Sequence, residues 1–271
     1  MRRLINRHPD RASALILGVL PFIVILIVYL VASNARLAEN ANDKLMPAFS
    51  TLGDTVHQLA FDEDQRTGQV TLWADTWASL GRLGLGLGFS AVLGLTFGIA
   101  LGVIPYLRAT LASFVAALSM IPPLAILPIL FIVFGLGELS KVVLIVFGVA
   151  PIIMRDMAMR VADLPHEQIV KAQSLGASTW LIVLRVVLPQ MWPRLVDAVR
   201  LTLGSAWLFL IAAEAIASTE GLGYRIFLVR RYMSMDIILP YVVWITLLAF
   251  LMDYGLKVLS ARAFPWYSRG R

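Results

Sequence analysis

Cysteine is absent from all 271 residues, so neither a disulfide framework nor a thiolate metal site can exist. Histidine is almost as scarce: His8, His57 and His166 are scattered without ligand spacing, and no His-Glu-x-x-His pair occurs. Charge is short too. Asp, Glu, Lys and Arg make up 15% of the chain, where soluble domains carry about a quarter. No G-x-x-x-x-G-K-[ST] loop is present, and Gly81, Gly84, Gly86 and Gly88 alternate with bulky residues instead of cradling a phosphate. The chain is therefore not expected to bind ATP itself, and no catalytic constellation is visible.

What is abundant is apolar side chain. Hydrophobic residues form 59% of the sequence, and its mean hydropathy is +0.80. Apolar runs of about 20 residues cross a bilayer as helices, because every backbone polar group in hydrocarbon needs an internal partner. The pattern predicts an all-α membrane protein with six spans, at 14–32, 79–104, 109–134, 142–159, 195–218 and 237–259. The net charge of +6 is read through its distribution and gives no sign of nucleic-acid binding.

Four stretches follow. Residues 1–33 hold a basic tail (Arg2, Arg3, Arg7, Arg11) and the first span. A secretory signal starts similarly, and Ala32-Ser33-Asn34-Ala35 resembles a cleavage site. The apolar run exceeds the 7–15 residues of a signal core, so an uncleaved span with Pro21 inside it is expected. Residues 34–78 are the most soluble, with Glu39, Asp43, Asp54, Asp62, Glu63, Asp64 and Asp75 against Arg36, Lys44 and Arg66. Leu52, Val56, Leu59 and Ala60 share a helical face, as do Trp73, Thr76, Trp77 and Leu80, which predicts short interfacial helices. Residues 79–260 form a five-helix core, and 261–271 a tail.

Inside that core, 163–189 is a polar knuckle. Pro165 suits a first helical turn, and Glu167 there complements the positive end of the dipole. Gly176 supplies a left-handed terminus near Leu175, and Ser178 an N-cap for a second helix running toward Pro189. The small Ala172, Gly176 and Ala177 would let another protein's backbone come close. In the second span, Ser90, Gly94, Gly98 and Gly102 recur every four residues and predict close helix packing. In the third, Met120-Ile121-Pro122-Pro123 and Pro128 predict a bent helix whose freed backbone faces protein or a wet cavity.

The knuckle resembles the cytoplasmic coupling motif of importer-type ABC permeases: E-A-A, three residues, Gly, nine residues, I-x-L-P. Ala172, Gly176, Val186, Leu188 and Pro189 match, while Val170 and Lys171 depart from the glutamate and first alanine. Segments 121–141, 174–189 and 212–226 are similar to permeases of the nitrate, sulfonate, taurine and bicarbonate group. The resemblance implies a type I importer fold and a multi-pass subunit of a bacterial inner membrane, surrounded by lipid. It also implies a second permease copy, a periplasmic substrate-binding protein, and ABC ATPase subunits that carry the ATP and Mg. Glu167, Lys171, Ala172, Gly176, Ala177, Ser178, Leu188 and Pro189 would then form the ATPase-coupling segment. Met120, Pro122, Pro123, Glu214 and Ser218 are the candidates for the path or gate.

Six spans put both termini, the 105–108 turn and 160–194 on one side, with Arg108, Arg155, Arg160, Lys171, Arg185, Arg194, Arg262, Arg269 and Arg271. The positive-inside rule makes that side cytoplasmic and the acidic 34–78 periplasmic, although Arg225, Arg230 and Arg231 sit on the outer side. Glu214 inside an apolar run needs a partner or a cavity, and a gating role and a structural pair are both open. Arg82 either snorkels or pairs with such a carboxylate. Asp197 with Arg200, and Asp253 with Lys257, read as local surface pairs. A secondary transporter with its own ion coupling is the alternative, but neither an internal repeat nor a cluster of membrane carboxylates supports it.

Overall fold

The computed structural model describes residues 10–40, 43–65 and 68–268. Arg2, Arg3, Arg7, His8, Arg66, Arg269 and Arg271 lie outside them. Apart from an isolated bridge between Glu63 and Val70, the described elements are helical. In order they are α1 (Arg11–Glu39), α2 (Phe49–Phe61), α3 (Thr71–Val103), α4 (Pro105–Leu118), α5 (Pro123–Phe134) and α6 (Glu138–Ala162). Then come α7 (His166–Ser174), α8 (Thr179–Ile182), a π turn (Val183–Val187), α9 (Leu188–Ala217), α10 (Leu222–Val229), α11 (Met235–Ala263) and α12 (Pro265–Ser268). Five helices are long and apolar enough to span a membrane, and a sixth span results if α4 and α5 are taken together.

The seam between α3 and α6 organises the core. A methyl group added at Gly86 would sit 2.6 Å from Ile145 Cγ2. One at Gly94, Gly98 or Gly102 would overlap Ile153, Met157 or Val161. The partner numbers rise together at a constant offset of 59 residues, so α3 and α6 run parallel in strict register. With no hydrophobic drive between helices in lipid, such close approach is what holds them. Ile145, Ile153 and Met157 are fully buried there. Gly148 on α6 admits Phe209 of α9 in the same way. The small-residue stripe thus serves packing, and Gly86 extends it by a turn.

Three expectations need correcting. The third span is not one bent helix: α4 and α5 meet at 94° across 119–122. Pro122 and Pro123 have no N–H to donate, and Pro122, preceding a proline, is extended at ψ 117°. The fifth span does not begin at 195, because helix runs from Thr179 to Ala217. Leu188 N–H bonds to Val183 O, an i→i−5 turn placed just before Pro189, so the chain passes that proline without stopping. The second span starts at Thr71, so Trp73 and Trp77 ride on α3 and not on a separate surface helix. Trp73 donates to Ala60 O at 3.1 Å and meets Trp244 of α11 edge-on, which ties α2 and α11 to the start of α3.

The apolar window of α1 has none of its residues buried. It is held near its C-terminal end, where Tyr29 Oη donates to Pro47 O at 2.8 Å and Ser33 Oγ to Met46 O at 3.0 Å.

Candidate functional site

The knuckle is built by two capping devices. Its first helix, α7, starts at His166, with Pro165 as the extended residue before it, and ends at Leu175. Gly176 has φ +78°, a conformation that costs a side-chain-bearing residue about 1–2 kcal/mol. There Gly176 N–H bonds to Gln173 O at 2.9 Å and Ala177 N–H to Ala172 O at 3.0 Å. Those two bonds are the Schellman pairing, and they satisfy carbonyls that the helix end would strand. Ser178 Oγ then accepts from Leu181 N–H at 3.3 Å and caps α8. Gln190 Nε2 donates to Gln168 Oε1 at 3.0 Å, pinning α7 against α9.

This geometry divides the predicted coupling residues. Glu167, Lys171, Gly176, Ser178 and Pro189 are exposed, whereas Ala172, Ala177 and Leu188 are half-buried against the core. Large apolar side chains that the motif does not name complete the exposed face. Leu175 is 79% and Trp180 69% exposed, with Val170 nearby. The signal for them was present as apolar residues inside a polar helical hairpin.

At the opposite end of the bundle lies a buried polar lock. Asp75, Ser79 and Arg82 occupy one face of α3 at i, i+4 and i+7. Glu214, fully buried on the last turns of α9, accepts from Arg82 Nη1 at 2.6 Å, Ser79 Oγ at 2.8 Å and Gly223 N–H at 2.9 Å. Arg82 also forks onto Glu138 at the start of α6, which in turn accepts from Lys141 Nζ at 2.7 Å. Asp75 accepts from Gly221 N–H and Tyr241 Oη, each at 2.9 Å, and from Arg225 Nε at 2.8 Å. Leu222 N–H bonds to Ser79 Oγ at 2.9 Å.

The first N–H groups of α10 are thus received by three side chains from α3 and α9, with carboxylates at the positive end of the helix. Gly221 is required: its φ is +125°, and a Cβ there would lie 2.6 Å from the Glu214 carboxyl carbon. Among the described residues Glu214 is therefore held in an ion-paired network, and Arg82 pairs with it and does not snorkel. Ser218, half-buried at the end of α9, donates to Glu220 O at 2.9 Å.

The remaining path candidates lie elsewhere. Met120 and Pro122 are exposed and Pro123 half-buried at the α4–α5 break. Arg155 of α6 donates to Ser119 Oγ there at 2.8 Å, 17 residues along α6 from Glu138. At 1.5 Å per residue that is roughly 25 Å from the lock, so the structure does not bring the two groups together. Arg155 lies within the expected span at 142–159, two turns short of the end of α6. The Asp253 reading is also corrected: its partner is Arg200 of α9, bidentate at 2.8 and 3.0 Å, and not Lys257. Asp197 accepts from Tyr267 Oη at 2.8 Å, with Arg200 3.8 Å away.

Long apolar helices, a discontinuous span and a capped polar knuckle define a multi-pass membrane permease. The chain belongs to the family described as the binding-protein-dependent transport system inner membrane component, which matches residues 91–264. The taurine transport system permease protein TauC of Escherichia coli (strain K12) is 38% identical over 198 residues, 73% of this chain and 72% of that one. The bicarbonate transport system permease protein CmpB of Synechococcus elongatus is 33% identical over 186 residues, 67% and 66% of the two chains.

Among solved structures, the inward-facing MetNI methionine ABC transporter has TM-score 0.63 at 24% identity, covering 70% of this chain and 95% of that one. A bacterial importer of the acidic polysaccharide alginate gives TM-score 0.63 at 14% identity, covering 94% and 97%. These two share the fold. The protein is a permease subunit of an ABC importer, with the type I fold, and the secondary-transporter alternative finds no support among its relatives.

Proposed function

We propose that this chain forms half of the translocation path for a small oxyanion, a sulfonate or a carbonate-like solute. A periplasmic binding protein would deliver the solute, and a separate ATPase would drive its passage. The exposed apolar pair Leu175 and Trp180, set on a doubly capped knuckle, is the observation that carries the coupling reading. A rigid corner with an apolar tip transmits the motion of whatever binds it, and shifts the balance of two conformations through differential contacts. Hydrolysis of ATP with Mg belongs to the partner in this scheme, and the chain itself is non-catalytic.

Arg160, Lys171, Arg185, Arg194 and Arg262 all lie on the knuckle end, which supports a cytoplasmic knuckle in a bacterial inner membrane. The polar lock would then face the periplasm, where the binding protein docks. The broad exposed apolar surfaces of α3, α5 and α11 support burial against lipid and a second copy of the chain. The substrate class comes to this chain through its similarity to the taurine and bicarbonate permeases. Gly176→Trp tests the coupling reading. The variant should enter the membrane at wild-type level yet fail to retain the ATPase on co-purification, and full retention refutes the assignment.

A further inference from the structure

The C-terminal end of α3, the body of α4 and the last turns of α6 line a cavity of about 320 Å³ that the knuckle and lock do not use. This size is at the lower end of small-molecule sites. Its walls are mostly apolar, Leu101, Val115 and Met159 among them, yet two guanidinium groups, Arg108 and Arg155, line it as well. None of the lining residues is acidic.

The two arginines differ in what holds them. Arg108 donates to Leu101 O at 3.0 Å and Gly102 O at 2.6 Å, so the carbonyl end of α3 partly balances its charge. Arg155 makes a single hydrogen bond among the described residues, to Ser119 Oγ at 2.8 Å. That hydroxyl donates onward to Ala116 O at 2.8 Å. The neighbouring Asp156 is occupied by Arg160 at 2.6 Å. Four of the five N–H groups of Arg155 therefore have no acceptor among the described residues, and the side chain is exposed.

Two separate constraints make this face wet. An exposed guanidinium two turns inside a span cannot face hydrocarbon cheaply. The backbone freed by Pro122 and Pro123 cannot either.

We propose that Arg155, backed by Arg108, is an anion-binding station on the translocation path. Its ligand is a small singly charged oxyanion, received by the guanidinium fork as it passes the α4–α5 break. The inference rests on the anion-importer reading and names the residues that would discriminate in its favour. The same chemistry could be presented by the phosphate of an anionic lipid, and the test separates the two.

The full complex in vesicles and the purified full-length chain would be compared as wild type, Arg155→Ala, Arg155→Lys and, as a charge control outside the cavity, Lys257→Ala. The probes are methanesulfonate, bicarbonate and taurine, whose sulfonate carries its one negative charge, with phosphatidylglycerol retention followed in parallel. The expected result is that Arg155→Ala weakens anion binding, and lowers uptake per ATP hydrolysed, by tenfold or more. Arg155→Lys regains part of the loss, and Lys257→Ala changes nothing. Wild-type taurine binding and uptake by Arg155→Ala overturns the proposal, as does loss of lipid retention alone. A wild-type complex that moves none of the three solutes refutes the importer reading for this class. The station then stands if the purified chain still binds an anion through Arg155, and falls if it does not.

Discussion

Glu214 and Arg82 show how a costly pair of charges becomes a structural rivet. Both are nearly or fully buried, and each has partners for its remaining polar atoms: Ser79 and Gly223 for the carboxylate, Glu138 and Glu220 O for the guanidinium. Removing Arg82 leaves the Glu214 carboxylate buried without its counter-charge, which costs about 3–5 kcal/mol, whereas removing Glu214 leaves Arg82 its second partner Glu138. Arg82→Met should lower the thermal midpoint in detergent, and adding Glu214→Leu to it should recover much of that loss. A double variant no better than the single one argues against mutual pairing. Gly221→Ala should be as damaging, because both its φ and its space exclude a methyl group. From the sequence alone, an apolar run made Glu214 conspicuous and made a partner necessary. The identity of that network was not legible, because Ser79 and Arg82 lie more than 130 residues from Glu214 and no local period links them.

The α3–α6 seam, an element-scale feature, was readable because its code is local: one small residue per helical turn. What could not be read was its partner, although the alternation of the six predicted spans already made the second and fourth parallel. Gly94→Leu should destabilise the protein by about 1–3 kcal/mol through overpacking, whereas Gly88→Ala should be nearly neutral, since nothing lies within 4 Å of its added methyl. Thermal unfolding of the two variants side by side checks this. The knuckle was equally legible, because capping acts over a few residues: Gly176 and Ser178 fall where their chemistry requires. Gly176→Ala should cost about 1–2 kcal/mol while leaving the exposed apolar face intact. The continuous helix through Pro189 was missed because proline normally reads as a stop, and a π turn has no compositional mark. The sharp α4–α5 corner was underestimated for a related reason. Adjacent prolines announce a bend, but its angle depends on how α4 packs on α6.

For the whole molecule, the all-α membrane class followed from what any bilayer demands of a chain rich in apolar side chains and poor in charge, and the type I importer fold from the resemblance of the knuckle and its flanking segments to importer permeases. Substrate and assembly do not follow from that demand, because they depend on surfaces that meet other molecules. The lack of native cysteine makes those surfaces accessible to single-cysteine chemistry. A membrane-impermeant maleimide should label Leu136→Cys, on the turn between α5 and α6, only from outside the cell. The same reagent should reach Leu175→Cys only in inside-out vesicles. The reverse pattern would invert the topology.

The most direct measurement is cross-linking in the assembled importer from those same two positions to the nucleotide-hydrolysing subunit. Leu175→Cys is predicted to cross-link to that subunit with a yield that changes when ATP is bound, and Leu136→Cys to give no such product. A product from the lock end, or none from the knuckle in a complex that still transports, would contradict the account.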